Sequence, residues 1–299
     1  MKVLNKTNIC IGILGWILLP VSCTPEYGDP NPFNYEDFVK EQDKYPAFSP
    51  DGEHIAYYHY SSQWPEPADY PSGLYIIDKN GNNRQLVLEG HHYNPAWSPD
   101  GQWLVFSTQG VIQKCKINGD SLSRLNMDNE NCFFPDYTPD GKKIIFDRMV
   151  TEEGSLLIVD ANFIDPPQIF SIDITTGRDP EYSPDGNYLI YMKGSRKWPH
   201  WEIFVMDSTG STDLRLTNND ADDLGPTWSP NGQQIAWSSN VRVHTMNADG
   251  SSQKFLVYGQ YPSWSVNNEI VFSHANAGYS KEVLYTILPD GSDKKQITF

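Results

Sequence analysis

Beyond residue 44 the chain is written in short apolar runs cut off by Gly, Asp, Asn or Pro. The clearest are "HIAYYHY", "WLVFST", "KIIFDR", "YLIYMK", "QIAWSS" and "EIVFSH", all rich in β-branched and aromatic residues. Runs of this length and composition, bounded by turn formers, predict strands rather than helices. A second run follows, plainest in "GLYIIDKNG", "EIFVMDSTG" and "RVHTMNADG", and a last one closes the unit as "RQLVL", "LRLT", "KFLVY" or "KQITF". Ahead of each unit stands a turn: "FSPDG" at 48–52, "WSPDG" at 97–101, "TPDG" at 138–141, "YSPDG" at 182–186, "WSPNG" at 228–232 and a worn "WSVNN" at 264–268.

With the proline of each turn as a ruler (Val266 in the worn copy), successive units lie 49, 40, 45, 46 and 36 residues apart. A period near 40–50 with strand-like content is the signature of propeller blades. Each unit supplies four strands, A to D, enough for one antiparallel blade. Proline presets φ at the first turn position, Asp ties the backbone through its side chain, and Gly accepts positive φ. The aromatic two residues before the proline is expected to fill the wedge between blades. Asp51, Asp100, Asp140 and Asp185 therefore read as scaffold.

The unit "P-x-[WYF]-S-P-D-G", then a strand, "D-x-x-G" and a closing strand, resembles the TolB-type β-propeller repeat over residues 45–299. The resemblance implies an all-β fold, a six-bladed β-propeller of four-stranded antiparallel blades, with inner strands near 46–50, 95–99, 135–139, 180–184, 226–230 and 262–266. Because the first copy opens on strand A and the last ends on strand D, closure is expected from the first blade packing on the last. The same unit occurs in propeller domains of peptidases and polysaccharide lyases, so fold does not decide activity.

The opening residues are a different material. Lys2 and Lys6 precede the apolar "ICIGILGWILLPVS", and Cys23 follows Ser22, the plan of a secretory signal. Residues 1–22 resemble a bacterial lipoprotein leader, with Cys23 as the lipid attachment and 23–44 as a tether; the alternative is a plain cleaved signal peptide. The run is short for a membrane span. The net charge of −16 becomes −18 without the leader, which argues against nucleic acid and anionic lipid surfaces. Cys115 and Cys132 either pair, as exported cysteines can, or stay apart, since Cys115 occupies the interior slot that holds Ile77, Met206 and Met246 in other copies.

The A–B and C–D turns are uniform, whereas the B–C and D–A loops vary, and variable loops on a rigid scaffold are where binding sites usually lie. The candidate ligand-binding residues are Trp64, Tyr70, His91, His92, Arg178, Trp198, His200, Trp201 and Tyr279, which combine aromatic planes with basic groups. A metal held by His91 and His92 with Asp179, Asp222 or Asp223 is weighed against plain hydrogen-bonded histidines, and the second reading is preferred, with no metal assigned. No G-x-S-x-G elbow, phosphate loop or Cys/His zinc spacing occurs, so catalytic residues stay unassigned and no cofactor is expected. The expectation is a monomeric, lipid-anchored module of the periplasm or outer membrane that binds an envelope protein or glycan. The rival is a carbohydrate-active enzyme of oligouronide-lyase type working at the channel mouth.

Overall fold

The computed structural model describes residues 41–62, 70–127, 131–149, 154–164, 167–175, 177–195, 198–275 and 281–299. The leader, Cys23, Trp64 and Tyr279 lie outside these residues. All elements among them are strands. The first run is β1 (Glu41–Phe48), β2 (His54–Ser61), β3 (Gly73–Asp78) and β4 (Gln85–Glu89). The next is β5 (Tyr93–Trp97), β6 (Trp103–Thr108), β7 (Val111–Lys116) and β8 (Ser123–Arg124). Then come β9 (Cys132–Tyr137), β10 (Lys143–Met149), β11 (Gly154–Asp160) and β12 (Ile169–Thr175). After these are β13 (Gly177–Tyr182), β14 (Tyr188–Ser195), β15 (Trp198–Asp207) and β16 (Leu214–Arg215). The fifth run is β17 (Asp223–Trp228), β18 (Gln234–Ser239), β19 (Arg242–Asn247) and β20 (Lys254–Tyr258). The last is β21 (Gln260–Trp264), β22 (Ile270–Ala275), β23 (Lys281–Ile287) and β24 (Lys295–Gln296).

Four of these runs are separate four-stranded antiparallel sheets, while the first and last merge into one eight-stranded sheet. The innermost strands β1, β5, β9, β13, β17 and β21 touch in cyclic order, the arrangement of an all-β propeller. Closure differs from simple packing. Glu41 and Gln42 of β1 pair in parallel with Lys281 and Glu282 of β23, and Lys281 holds Glu41 at 2.7 Å. Residues 41–44, expected in the tether, are therefore strand.

The turn chemistry is as its residues dictate. Ser49 Oγ donates to Asp51 Oδ1 at 2.5 Å, the Glu53 amide donates to the same oxygen at 3.0 Å, and the His54 amide donates to Ser49 Oγ at 2.9 Å. The set recurs around Asp100, Asp140 and Asp185, and around Asn231 where the sequence changes. The hydroxyl first, then the amide, holds each of these four carboxyls below its usual range. In the worn copy Ser265 keeps its role, accepting from the Asn267 and Glu269 amides at 3.1 and 3.2 Å, and Asn268 takes the glycine's positive φ.

The wedge aromatics pack between sheets. Tyr137, Trp228, Trp97 and Trp264 each sit in a different buried cluster with residues of two adjoining sheets, and Phe48 sits in a cluster that joins the two halves of the eight-stranded sheet. Burying such a ring stabilises by about 1.5–3 kcal/mol. Cys115 is a free thiol buried beside Leu104 and Phe106, while Cys132 lies in another cluster, so the two do not pair.

The inner strands start and stop earlier than expected: β5 ends at Trp97, and the Ser-Pro that follows belongs to the turn. A bulge also recurs in every inner strand next to its first proline. Proline cannot donate to the ladder, so pairing skips there. The residue before each of these prolines has positive φ: Tyr45, Asn94, Phe134, Asp179, Gly225 and Tyr261.

Candidate functional site

These pre-proline residues recur once per inner strand and so follow the ring of inner strands as a belt, with Tyr93 and Tyr58 packed beside it. Tyr45 and Tyr261 meet with ring centroids 4.4 Å apart, Tyr93 lies 6.4 Å from Tyr45, and Tyr58 lies 4.7 Å from Tyr93. Opposite in chemistry is the β9–β13 side, where Asp136, Asp179 and Glu181 collect. All three keep partial solvent access yet are enclosed by protein, as in a channel wall. Desolvation lifts the Asp136 and Asp179 carboxyls to about 7 each, with Asp147 reinforcing the rise at Asp179, and lifts Glu181 well above the carboxyl range. Glu181 accepts from the Trp228 amide at 2.9 Å and so ties β13 to β17. Near neutral pH this wall can both donate and accept hydrogen bonds.

Above the belt, Arg178 donates from Nε to Asp147 Oδ2 at 2.8 Å, joining β13 to β10. Asp147 is fully buried, and burial raises its carboxyl to about 6 against the opposing pull of Arg178. The guanidinium carbon lies 5.3 Å from the Phe134 ring and 5.6 Å from that of Trp201. Trp201 reaches this position because Gly194 carries no side chain; a Cβ there would stand 2.9 Å from the indole. The Trp201 amide donates to Asp222 Oδ1 at 2.9 Å, and His200 Nδ1 lies 3.7 Å from the same oxygen. Buried Glu202 anchors the lead-in to β17, accepting from Thr217 Oγ1 and Arg215 Nη2 at 2.7 Å each and from the Asn219 amide at 3.2 Å.

The family model for the TolB beta propeller domain matches residues 39–256 and again 131–299. The chain belongs to this family. Among curated proteins it is similar to the Tol-Pal system protein TolB of Francisella tularensis subsp. mediasiatica, 25% identical over 203 residues, which is 65% of this chain and 45% of that protein. It thus spans less than half the length of that relative. Among solved structures, TolB from Acinetobacter baumannii matches with a TM-score of 0.59 at 22% identity, over 74% of this chain and 56% of that one. An oligogalacturonate lyase in complex with manganese matches with 0.57 at 13% identity, over 87% of this chain and 78% of the lyase. At such identities the likeness shows the fold alone.

Within this TolB-type propeller the B–C and D–A loops share one face, since the Gly90, Asn131 and Gly259 amides donate to the carbonyls of Ser72, Gly110 and Val241. Arg178 and Trp201 come together there, and His200 is held separately to Asp222. Trp198 opens β15, and its side chain lies outside the description. The two adjacent histidines part company. His91 is exposed, stacks on Tyr93 and holds the Tyr58 hydroxyl at 2.6 Å. His92 is buried with both ring nitrogens engaged, 2.8 Å from Thr108 Oγ1 and 3.1 Å from the Glu89 carbonyl, and burial lowers its basicity. It pins the loop. Tyr70 lies elsewhere, its ring 4.1 Å from the Arg84 guanidinium carbon and edge-on to His59 and Tyr75. Among the described residues no group of three or more His, Cys, Asp or Glu is placed to hold a metal. Asp223 is instead bound to Asn219 Nδ2 at 2.8 Å.

Sequence reading missed the belt tyrosines and the pair Asp136 and Glu181. A signal was present. The residue after the first proline is Ala47, Ala96, Thr227 or Ser263 in four copies, and acidic only in these two.

Proposed function

We propose that this chain is an exported binding module of the bacterial envelope, a six-bladed propeller whose loop face takes a protein partner. The blade count reads the eight-stranded sheet as two blades, since each half repeats the strand order of the separate sheets. Export and lipid attachment at Cys23 follow from the leader reading. An envelope protein partner is supported by kinship with a protein named for the Tol-Pal system. One observation carries the assignment of the face: Arg178, Trp201 and Phe134 converge beside the channel mouth, a partly open aromatic and arginine cluster on rigid strands, with His200 held to Asp222 on the same strand as Trp201. Such residues supply most of the energy in protein interfaces. Trp64, Trp198, Tyr279 and His91 are proposed to extend the same surface.

The test is site-specific photo-crosslinking in cells. A photoreactive phenylalanine placed at His91, His200 or Trp201 should yield adducts with one envelope protein, identified by mass spectrometry. The same group at Asp100 or Asp185, in the uniform turns of the opposite face, should yield none. Adducts confined to the turn face would overturn the assignment. Loop-face probes that give no protein adduct, together with binding of the purified chain to an envelope glycan, would replace the protein partner with a sugar.

A further inference from the structure

The outer strands differ in a way that bears on association. β8, β16 and β24 are two residues each, and short outer strands leave little free ladder for another chain to pair with. β20, "KFLVY", is five residues long, ends its sheet and, among the described residues, has no strand on its far side. Its composition is that of a strong β-former. Of the other long outer strands, β4 ends on Glu89, an acidic charge that would repel an acidic segment, whereas the one charge on β20 is Lys254. β19 and β20 hold no acidic residue at all, only Arg242 and Lys254 as charges, in a chain of net charge −16.

Next to this edge the side chains are apolar and open. Val241, Phe255 and Tyr258 are 52%, 49% and 55% exposed. Rings run in a row from the interior outward: Trp237 to His244 at 5.3 Å, His244 to Phe255 at 6.0 Å, and Phe255 to Tyr258 at 5.3 Å. Arg242 lies over Tyr258 at 5.6 Å. The inner end of the row is covered, because Trp237 packs with Ile203 and Val205 of β15. The neighbouring sheet stops at the two-residue β16, and Phe255 and Tyr258 at the outer end of the row stay half exposed. Val241 adds strain to exposure. It holds φ +61° in the turn between β18 and β19, where the matching turn between β6 and β7 has Gly110 at +79°. A β-branched residue in that region costs about 1–2 kcal/mol and gains no burial here.

We propose that the free edge of β20, with Val241, Phe255 and Tyr258, is a docking strand for an extended acidic segment of another protein, which adds to the sheet as a further strand. Main-chain pairing would supply affinity, and the aromatic row would supply side-chain contacts. Charge selects the occupant. Lys254 and Arg242 bracket the strand at its two ends, so acidic residues flanking an apolar centre are matched at both. A second copy is disfavoured, because two-fold antiparallel pairing would bring the Lys254 end of one strand to the Arg242 end of the other. This surface lies on the rim of the propeller and does not depend on the loop-face assignment.

The experiment selects displayed random decapeptides on the wild-type protein with counter-selection on R242E/K254E. The expected consensus is a β-branched centre flanked by Asp or Glu. A synthetic peptide of that consensus should lose at least tenfold affinity for R242E/K254E and for F255S/Y258S, and should slow amide exchange of residues 254–258 in the wild type. The exchange footprint needs no variant and so decides the matter even if a variant folds poorly. Failure to enrich any peptide, a basic consensus, or a footprint elsewhere would each overturn the proposal. So would a wild-type dimer in sedimentation that R242E/K254E dissolves.

Discussion

Replacing Asp179 by Asn should stabilise the protein at alkaline pH and flatten its pH profile. The residue sits in the channel wall at φ +51°, a conformation that Asn tolerates, so the backbone has no reason to move. Its carboxyl titrates at about 7 in the folded protein against an ordinary 3.8, chiefly because burial disfavours the anion. A raised carboxyl means that the folded state binds the proton more tightly than the unfolded chain. Its stabilising effect is complete at low pH, declines as pH climbs from about 4 to about 7, and is gone above that. At 1.4 kcal/mol per pH unit the full difference is about 4 kcal/mol, and the part falling between pH 5.5 and pH 8 is about 2 kcal/mol. These are ceilings for one group, because Asp136 and Asp147 add to the rise at Asp179 and relax when it is neutralised. The turn carboxylates act in the opposite sense, but they are exposed and their window lies below the ordinary carboxyl range. Urea unfolding at pH 5.5 and pH 8 tests this. Wild type should be more stable at pH 5.5, and D179N should exceed wild type by up to about 4 kcal/mol at pH 8, a gain that falls by about 2 kcal/mol at pH 5.5. Equal wild-type stability at the two pH values, or no gain for D179N at pH 8, would refute the reasoning.

Two further substitutions probe single contacts. Arg178→Ala leaves the buried Asp147 carboxylate without its partner and should cost about 3–5 kcal/mol in urea unfolding at pH 8, part of which Asp147→Asn in the same chain should restore. A loss under 1 kcal/mol would mean that water reaches Asp147 freely. Val241→Gly should raise stability by about 0.5–1 kcal/mol, the relief of left-handed strain less the extra freedom of glycine in the unfolded chain, and an unchanged melting temperature would contradict the strain at that turn.

The sheets were legible because their signals are local. Ser, Pro, Asp and Gly specify one turn within five residues, and the hydrogen bonds of Ser49, Asp51 and His54 are satisfied without reference to the rest of the fold. The wedge aromatics were legible for the same reason, two residues ahead of a fixed proline. The channel was not. Asp136 and Glu181 carry no local signature, and Asp179 stands out in sequence only as a partner weighed with His91 and His92; the cyclic contact of β9, β13 and β17 brings the three to one wall. Arg178 and Asp147 are 31 residues apart and belong to different sheets, so no local pattern announces the pair. The loop histidines were legible as unusual but not as different from one another, because burial by Phe106 and Thr108 separates His92 from His91.

A repeat supplies its own control, and the belt shows how to use it. Six copies impose the same positive φ on the residue before the first proline, a conformation suited to Asn94, Asp179 and Gly225. Tyr45, Phe134 and Tyr261 adopt it as well, although an aromatic side chain gains nothing from it locally. Conformation therefore does not explain the aromatics. What they share is a neighbour: Tyr45 touches Tyr261, and Phe134 backs the Arg178 guanidinium. At a position where the scaffold asks only for a tolerant backbone, the bulky residues answer to their neighbours, and one strained copy, Phe134, lies on the surface on which binding is proposed.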